Sequence, residues 1–427
     1  MKTFVTLCLG QALSSIGSGM TYFSLTIWIW QKTNSAMSVA LILVFYQLPQ
    51  IIITPLSGIL TDYFSHKKLL IVSDIGSAVC TFSVGILAFL QILNVKYIYL
   101  IASIIGCFGN IQTLSYITLV PLIVPYQHHA RASSMGAITA YSAGIVAPAL
   151  AGILFPVMGL TGITIIDMTT FMIAAITILI LPIAFGIKSP KITNQTLFVV
   201  RLKENFVDDI FFGLKYIYNH PNLSKILIIF SLFSFVEGIT EVIYQPMILA
   251  KTGGNTEILG IIVAIGGVGG IVGGTICSIW GGFKRRTTGI FIGFIINGFS
   301  RLAMGLIAQP KFWLLANVGA SLPSPLITSS YTAIWYEKVA REIQGRVLAA
   351  DYLIGTVISS LSGLAAGILA NQISVMLTHL SNFLILPINE IFGPPPGSGM
   401  AFLMVNCGVL AFLLGLWGLL IYQRGDD

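Results

Sequence analysis

The chain has 427 residues, of which 56% are hydrophobic and 9% charged, with a formal net charge of +7 and a mean hydropathy of +0.92. Soluble domains carry about 25% charged residues, so this composition excludes a water-soluble globular protein and makes lipid the solvent. The apolar runs are continuous and about 20 residues long, which fits membrane-spanning helices and not the alternating strands of a barrel.

In chain order the pattern predicts twelve spans, near 4–30, 37–60, 69–93, 97–124, 133–158, 161–187, 223–250, 258–280, 289–308, 312–336, 347–370 and 400–422. The first run is too long for a signal peptide and lacks a clear small-residue cleavage site, so it is read as a retained span. The 22 Lys and Arg residues test the topology. Seventeen fall on the side of both termini, four (Lys32, Lys96, Lys251 and Lys311) fall on the other, and Arg301 lies within a span. That bias places both termini in the cytoplasm of a plasma (inner) membrane protein. The positive charge is thus a topology signal, and no basic surface for nucleic acid stands outside it. The five cysteines, Cys8, Cys80, Cys107, Cys277 and Cys407, all fall inside spans without metal-ligand spacing and read as small core residues.

Between the second and third spans lies GILTDYFSHKK, from Gly58 to Lys68, read as a tight charged connection. The longest connection, Lys188 to Asn222, divides the spans six and six. The predicted organisation is a six-helix bundle over 1–187, a linker over 188–222 and a second bundle over 223–427. Within the linker Phe206, Val207, Ile210, Phe211, Leu214, Ile217 and Tyr218 share one helical face, as in a helix lying at a membrane surface. The halves repeat each other. AGIL at Ala151–Leu154 recurs at Ala366–Leu369, each preceded by an arginine (Arg131, Arg346) 21 residues before the glycine. The basic pair Lys67 and Lys68 has a looser counterpart at Lys284, Arg285 and Arg286. This is the parallel duplication of a two-bundle transporter.

Ionisable residues inside spans are costly and point to function. Glu237 and Glu241 lie four apart on one face of the seventh span, where two nearby carboxylates share a proton or hold a cation. Arg301, deep in the ninth span, needs a counter-charge, and a glutamate of the seventh span is a candidate. Asp167 sits in the sixth span. Asp74 and Asp351 are read at the cytoplasmic starts of their helices. The deeper tyrosines Tyr22, Tyr46, Tyr116 and Tyr244 are candidates to line an apolar cavity. Asp208-Asp209 is not repeated, His128 and His129 read as a solvated loop, and no phosphate-binding GxxxxGK[ST] loop is present. No cofactor, metal site or catalytic constellation is expected.

GILTDYFSHKK resembles the signature loop after the second span of the major facilitator superfamily, keeping Gly58, Asp62 and the basic pair, with Tyr63 and His66 where basic residues are common. SAGIVAPALAG resembles the antiporter motif of the fifth span, with Gly144, Pro148 and Gly152, and with Ala147 in place of a glycine. QALSSIGSGMTYFSLTIWIW and EIQGRV also look typical of drug:proton antiporters similar to macrolide-efflux and enterobactin-exporter permeases. The resemblance implies an all-α membrane fold of twelve helices in two six-helix pseudo-repeats. It implies a cytoplasmic gate in which Asp62 faces the start of the eleventh helix, while Lys67 and Lys68 bind carboxylates such as Asp351, or lipid phosphate. Asp74 would join that network, and Asp167 matches a position that is often acidic. The expected function is proton-coupled export of an amphipathic or hydrophobic small molecule by a monomer. The alternatives are a lysophospholipid or lipid flippase on the same scaffold, and a non-transporting membrane sensor or assembly factor.

Overall fold

The computed structural model describes residues 2–124, 129–180, 206–307, 309–340, 343–379, 392 and 397–424; the side chains of Gly58, Asp62, Arg131 and Arg346 lie outside the described residues, as does most of the stretch 372–399. Every described element is a helix. The first five are α1 (Lys2–Thr33), α2 (Ala36–Tyr63), α3 (His66–Phe89), α4 (Val95–Ile123) and α5 (His129–Ile180). An amphipathic α6 (Phe206–Asn219) follows. The remainder are α7 (Pro221–Lys251), α8 (Thr256–Trp280), α9 (Arg286–Leu306), α10 (Pro310–Ser321), α11 (Ser324–Lys338), α12 (Gln344–His379) and α13 (Gly397–Arg424).

Nine helical stretches among the described residues are long and apolar enough to cross a membrane. One of these lies in α5 and holds two spans, bent at Gly159, whose φ of 63° and ψ of −172° leave the helical region at no Cβ cost. The break falls where the sequence places the boundary between the fifth and sixth spans. α10 and α11 together occupy the predicted tenth span. Pro323 and Pro325 remove two amide donors there, and the chain passes from one helix to the next through a kink rather than a loop. α1 is a span diluted by Gln11, Ser14, Ser15, Ser18 and Thr21, a polar stripe that has work to do inside the bundle. The outward faces carry residues such as Ile52, Val157 and Ile279, each more than 70% exposed, which only lipid can solvate.

The Gly58–Lys68 connection differs from its sequence reading. α2 continues as helix through Tyr63 and α3 begins at His66, so only Phe64 and Ser65 separate them. Apolar flanks simply extend the helices until the backbone turns at Ser65, which is extended at φ −65° and ψ 132°. The predicted linker helix is present as α6. Its face splits: Ile217 is buried in a core with Leu223, Ile226 and Trp335, while Phe211 and Tyr218 remain exposed. Pro221 takes the first turn of α7, where its missing N–H costs nothing.

The chain divides into two compact units, Met1–Ile29 with Ile42–Asp208, and Trp30–Leu41 with Asp209–Asp427. In the first, α1 lies against α5 through glycines: a Cβ at Gly17 would come 2.8 Å from Asp167 Oδ1, and one at Gly19 would come 2.8 Å from the Ala147 Cβ. The small residue needed at this crossing is therefore on α1, which accounts for alanine being tolerated at position 147. A Cβ at Gly144 would meet nothing within 4 Å. Pro148 and Gly152 are buried.

In the second unit α9 and α13 form the most extensive helix pair among the described residues. Gly298 and Gly408 face each other, and a Cβ at Gly298 would lie 2.7 Å from the Gly408 carbonyl oxygen. Such backbone-to-backbone approach is how helices gain dispersion contacts when lipid removes the hydrophobic drive between them. Gly298→Ala is expected to lower thermal stability in detergent by about 1–3 kcal/mol, whereas Gly144→Ala should be neutral or stabilising by up to about 1 kcal/mol from helix propensity. Melting curves of the two variants, read by size-exclusion recovery after heating, check this; equal losses would show that the α9–α13 approach is not limiting.

Candidate functional site

Each unit buries its own ionisable groups, and each solves the cost differently. In the first unit α1 supplies the solvating side chains. Asp74 is 1% exposed and sits two turns inside α3, which corrects the reading that places it at the start of its helix. Gln11 Nε2 donates to Asp74 Oδ2 at 3.2 Å, Gln112 Nε2 donates to Oδ1 at 2.5 Å, and Gln112 also donates to Gln11 Oε1 at 3.0 Å. This closed amide–carboxylate network links α1, α3 and α4.

Asp167, also 1% exposed, accepts from three hydroxyls: Thr21 Oγ1 at 2.7 Å and Thr81 Oγ1 at 3.2 Å on Oδ2, and Ser18 Oγ at 3.4 Å on Oδ1. It lines a cavity of about 430 Å³. Tyr22 and Tyr46 line the same cavity, with ring centroids 6.4 Å apart and planes at 60°. Tyr116 is not among its lining residues; it packs against Leu7, Phe4 and Cys8.

In the second unit the sequence-predicted trio comes together. Arg301 is 2% exposed. Its Nε and Nη2 donate to Glu237 Oε1 at 3.2 and 2.6 Å, and Nη2 also donates to Glu241 Oε1. The i, i+4 spacing on α7 sets both carboxylates on one face, as the sequence implied. The two are not equivalent. Glu237 is 21% exposed and also accepts from Thr240 Oγ1 at 3.1 Å, while Glu241 is 54% exposed and holds a single ion pair. Tyr244 is buried, with its ring centroid 5.6 Å from the Arg301 guanidinium carbon, so it serves as a cation–π floor. Arg301 Nη1 is buried with no hydrogen-bond partner among the described residues. With both glutamates ionised, the trio carries one net negative charge.

The remaining residues that the resemblance assigns to a gate are placed individually. Lys67 is buried, and its Nζ donates to the Leu179 carbonyl at 3.2 Å, in the last turn of α5, where a cation complements the helix dipole. Lys68 is exposed. Asp351, seven residues into α12, accepts from Tyr331 Oη at 2.5 Å. Tyr331 stacks on Phe230 with centroids 3.7 Å apart. The groups that the sequence reading missed are all neutral: Gln11, Gln112, Ser18, Thr21, Thr81, Thr240 and Tyr331. Their signal was polar residues inside apolar runs, and only geometry says which of them meet a carboxylate.

Comparison with known proteins agrees with this architecture. Residues 7–363 match the family described as the Major Facilitator Superfamily. Macrolide efflux protein A of Streptococcus pyogenes is 25% identical over 374 residues, covering 87% of this chain and 90% of the relative. Macrolide efflux protein A of Enterococcus faecalis is 26% identical over 328 residues, covering 76% and 98%. An uncharacterized MFS-type transporter of Bacillus subtilis (strain 168), YfiS, is 24% identical over 390 residues, covering 89% of each. Among solved structures, a bacterial homolog of the human lysosomal transporter Spinster, inward-facing and unoccupied, superposes with a TM-score of 0.71 at 15% identity over 98% of this chain and 96% of that one. The nucleoside transporter NupG does so with 0.65 at 15% identity over 100% of each chain. These likenesses at low identity speak for the fold, and the family match spans most of the chain: this protein belongs to the Major Facilitator Superfamily and is a multi-pass membrane transporter.

Proposed function

We propose that the protein exports an amphipathic small molecule across the plasma membrane in exchange for protons, working as a monomer by alternating access with both termini in the cytoplasm. The observation that carries this reading is the Arg301–Glu237–Glu241 trio. A buried guanidinium held by two carboxylates leaves one negative charge, and one charge can be neutralised by one proton or by one cationic group. Glu237 is the anchor, with two contacts from Arg301 and one from Thr240. Glu241, half exposed and singly bonded, is the position from which a proton is taken up and released. A site of this kind binds either the proton or the cargo, which is the minimum that exchange requires. The names of the Streptococcus and Enterococcus relatives support efflux as the direction and a drug-like cargo as the class.

In reconstituted vesicles an acidic lumen should drive uptake of an amphipathic dye as protons leave, and nigericin should abolish it. Glu241→Gln is expected to lose this pH-driven uptake while retaining dye exchange at equal pH on both sides. Normal pH-driven uptake by that variant refutes the coupling assignment. Movement of a headgroup-labelled lysolipid in place of the dye would replace drug export by lipid flipping.

The charge count yields a second expectation. Removing the guanidinium in Arg301→Met leaves two adjacent, unneutralised carboxylates, which should lower stability by about 3–5 kcal/mol. Adding Glu237→Gln restores the net charge of the trio and should recover much of that loss. Recovery of folded protein from heated detergent extracts measures both variants; if the double variant is no better than Arg301→Met, charge balance is not what stabilises this site.

A further inference from the structure

At one end of the second unit α7 finishes while α10 and α13 begin, and a lysine sits among them. Lys251 is the last residue of α7. Its Nζ is buried with no hydrogen-bond partner among the described residues, and no carboxylate among them pairs with it. A lysine in the last turn of a helix commonly caps free carbonyls. Here two of those carbonyls are already taken. Thr252 N and Oγ1 donate to the Ile248 oxygen at 2.9 and 2.7 Å, and Gly254 N donates to the Leu249 oxygen at 2.7 Å. The ammonium lies instead 5.9 Å from the ring centroid of Trp313, a buried side chain fixed by its Nε1 bond to the Ile307 oxygen at 2.5 Å. A ring face attracts a cation but carries no net charge, so it does not replace a counter-ion.

α13 adds to the positive potential. Its first residue, Gly397, packs on the lysine stem: a Cβ there would come 3.0 Å from Lys251 Cγ and 3.7 Å from Lys251 N. Gly397, Ser398, Gly399 and Met400, the first turn of α13, are all buried. The first N–H groups of a helix have no acceptor within it and form its positive end. Ser398 is 0% exposed, and its Oγ has no hydrogen-bond partner among the described residues. An unpaired ammonium and an unpartnered hydroxyl thus flank the positive end of α13. On α10, beside Trp313, Phe312 and Leu315 are exposed as lipid-facing residues are, and Lys311 is exposed too. Lys251 as a whole is only half-buried, and its flexible four-carbon stem lets the ammonium turn to meet an arriving anion.

We propose that this end of the second unit binds a phosphate-type oxyanion, with Lys251 as its counter-charge and Ser398 and the first amides of α13 as donors. A tetrahedral oxyanion has enough acceptor oxygens to meet donors from α7 and α13 together, and helix N-termini favour it. The headgroup of a phospholipid carries this chemistry and would arrive along the lipid-facing side of α10. Free phosphate carries it as well. The inference stands apart from the export reading, since no part of it uses the Arg301–Glu237–Glu241 trio.

The test is a thermal-shift titration of the full chain, delipidated in a neutral detergent and phosphate-free buffer. The additions are phosphatidylglycerol, a diacylglycerol with the same acyl chains, and inorganic phosphate. Phosphatidylglycerol should raise the melting temperature of the wild type saturably, and diacylglycerol should not. An equal rise with inorganic phosphate assigns the site to the free anion; no rise with it assigns the site to the lipid headgroup. Lys251→Met should raise the half-saturating concentration by about tenfold or more, as expected for loss of one partner of a buried charge pair. Lys251→Arg should retain most of the effect, and Lys96→Met, an exposed lysine of the first unit, should change nothing. With no addition Lys251→Met should melt no lower than the wild type, because it removes an uncompensated charge. The proposal is overturned if neither phosphatidylglycerol nor phosphate shifts the wild type, or if diacylglycerol shifts it equally. It is also overturned if Lys96→Met loses as much as Lys251→Met. A Lys251→Met variant that melts well below the wild type with no addition overturns it too, since the ammonium then already has its counter-charge within the chain.

Discussion

Burying ionisable groups where water cannot reach them is the constraint on which the rest of this structure depends. A chain with so few charged residues keeps only a handful of ionisable side chains inside its spans, and around each of them several helices are held in register. Asp74 and Asp167 draw α1 onto α3, α4 and α5 through amides and hydroxyls. Arg301 ties α9 to α7 through two glutamates. Lipid offers no alternative partner for these groups, so each contact specifies which helix faces must meet.

The AGIL motif recurs in the two units, yet they solvate charge in opposite ways. The N-terminal unit surrounds carboxylates with neutral donors, which leaves their charge uncompensated. The C-terminal unit supplies a cation, then over-compensates it with two carboxylates. With the carboxylates ionised, Asp74 and Asp167 leave two negative charges in the first unit, that of Asp167 beside a cavity, and the trio leaves one in the second, next to a half-exposed glutamate. The proposed exchange of cargo for protons needs charge that can be neutralised reversibly, and both arrangements offer such charge. The glycines of α1 that let it approach α5 closely bring Ser18 and Thr21 within hydrogen-bonding distance of Asp167.

Much of the fold was legible from the chain. Continuous apolar runs specify helices because the alternative in lipid, a closed barrel, needs alternating strands, and the helix ends fall within a few residues of the predicted ones except in α12, which runs nine residues past the predicted end, to His379. The break at Gly159 was legible because a glycine is the cheapest residue at that backbone conformation. The pairing of Arg301 with α7 was legible from charge alone, since one buried cation and two carboxylates four residues apart leave few options. The extent of the Gly58–Lys68 connection was less so. Polar residues suggest a loop, but helical hydrogen bonding continues past them until the turn itself intervenes.

What the sequence by itself determined is the membrane solvent, the number of spans, the duplication and the short set of residues worth suspecting, because all of these follow from composition, period and charge count along one dimension. What only the tertiary structure decided is which suspects meet. It took Asp74 from the helix start to the interior and gave Lys67 a helix end. It separated Tyr116 from Tyr22 and Tyr46, and it made Glu241 the exposed partner of the glutamate pair. The physical reason is that neutral donors such as glutamine, serine and threonine are common along any such helix. Their role is set by a distance of about 3 Å across a helix pair, and packing alone fixes that distance.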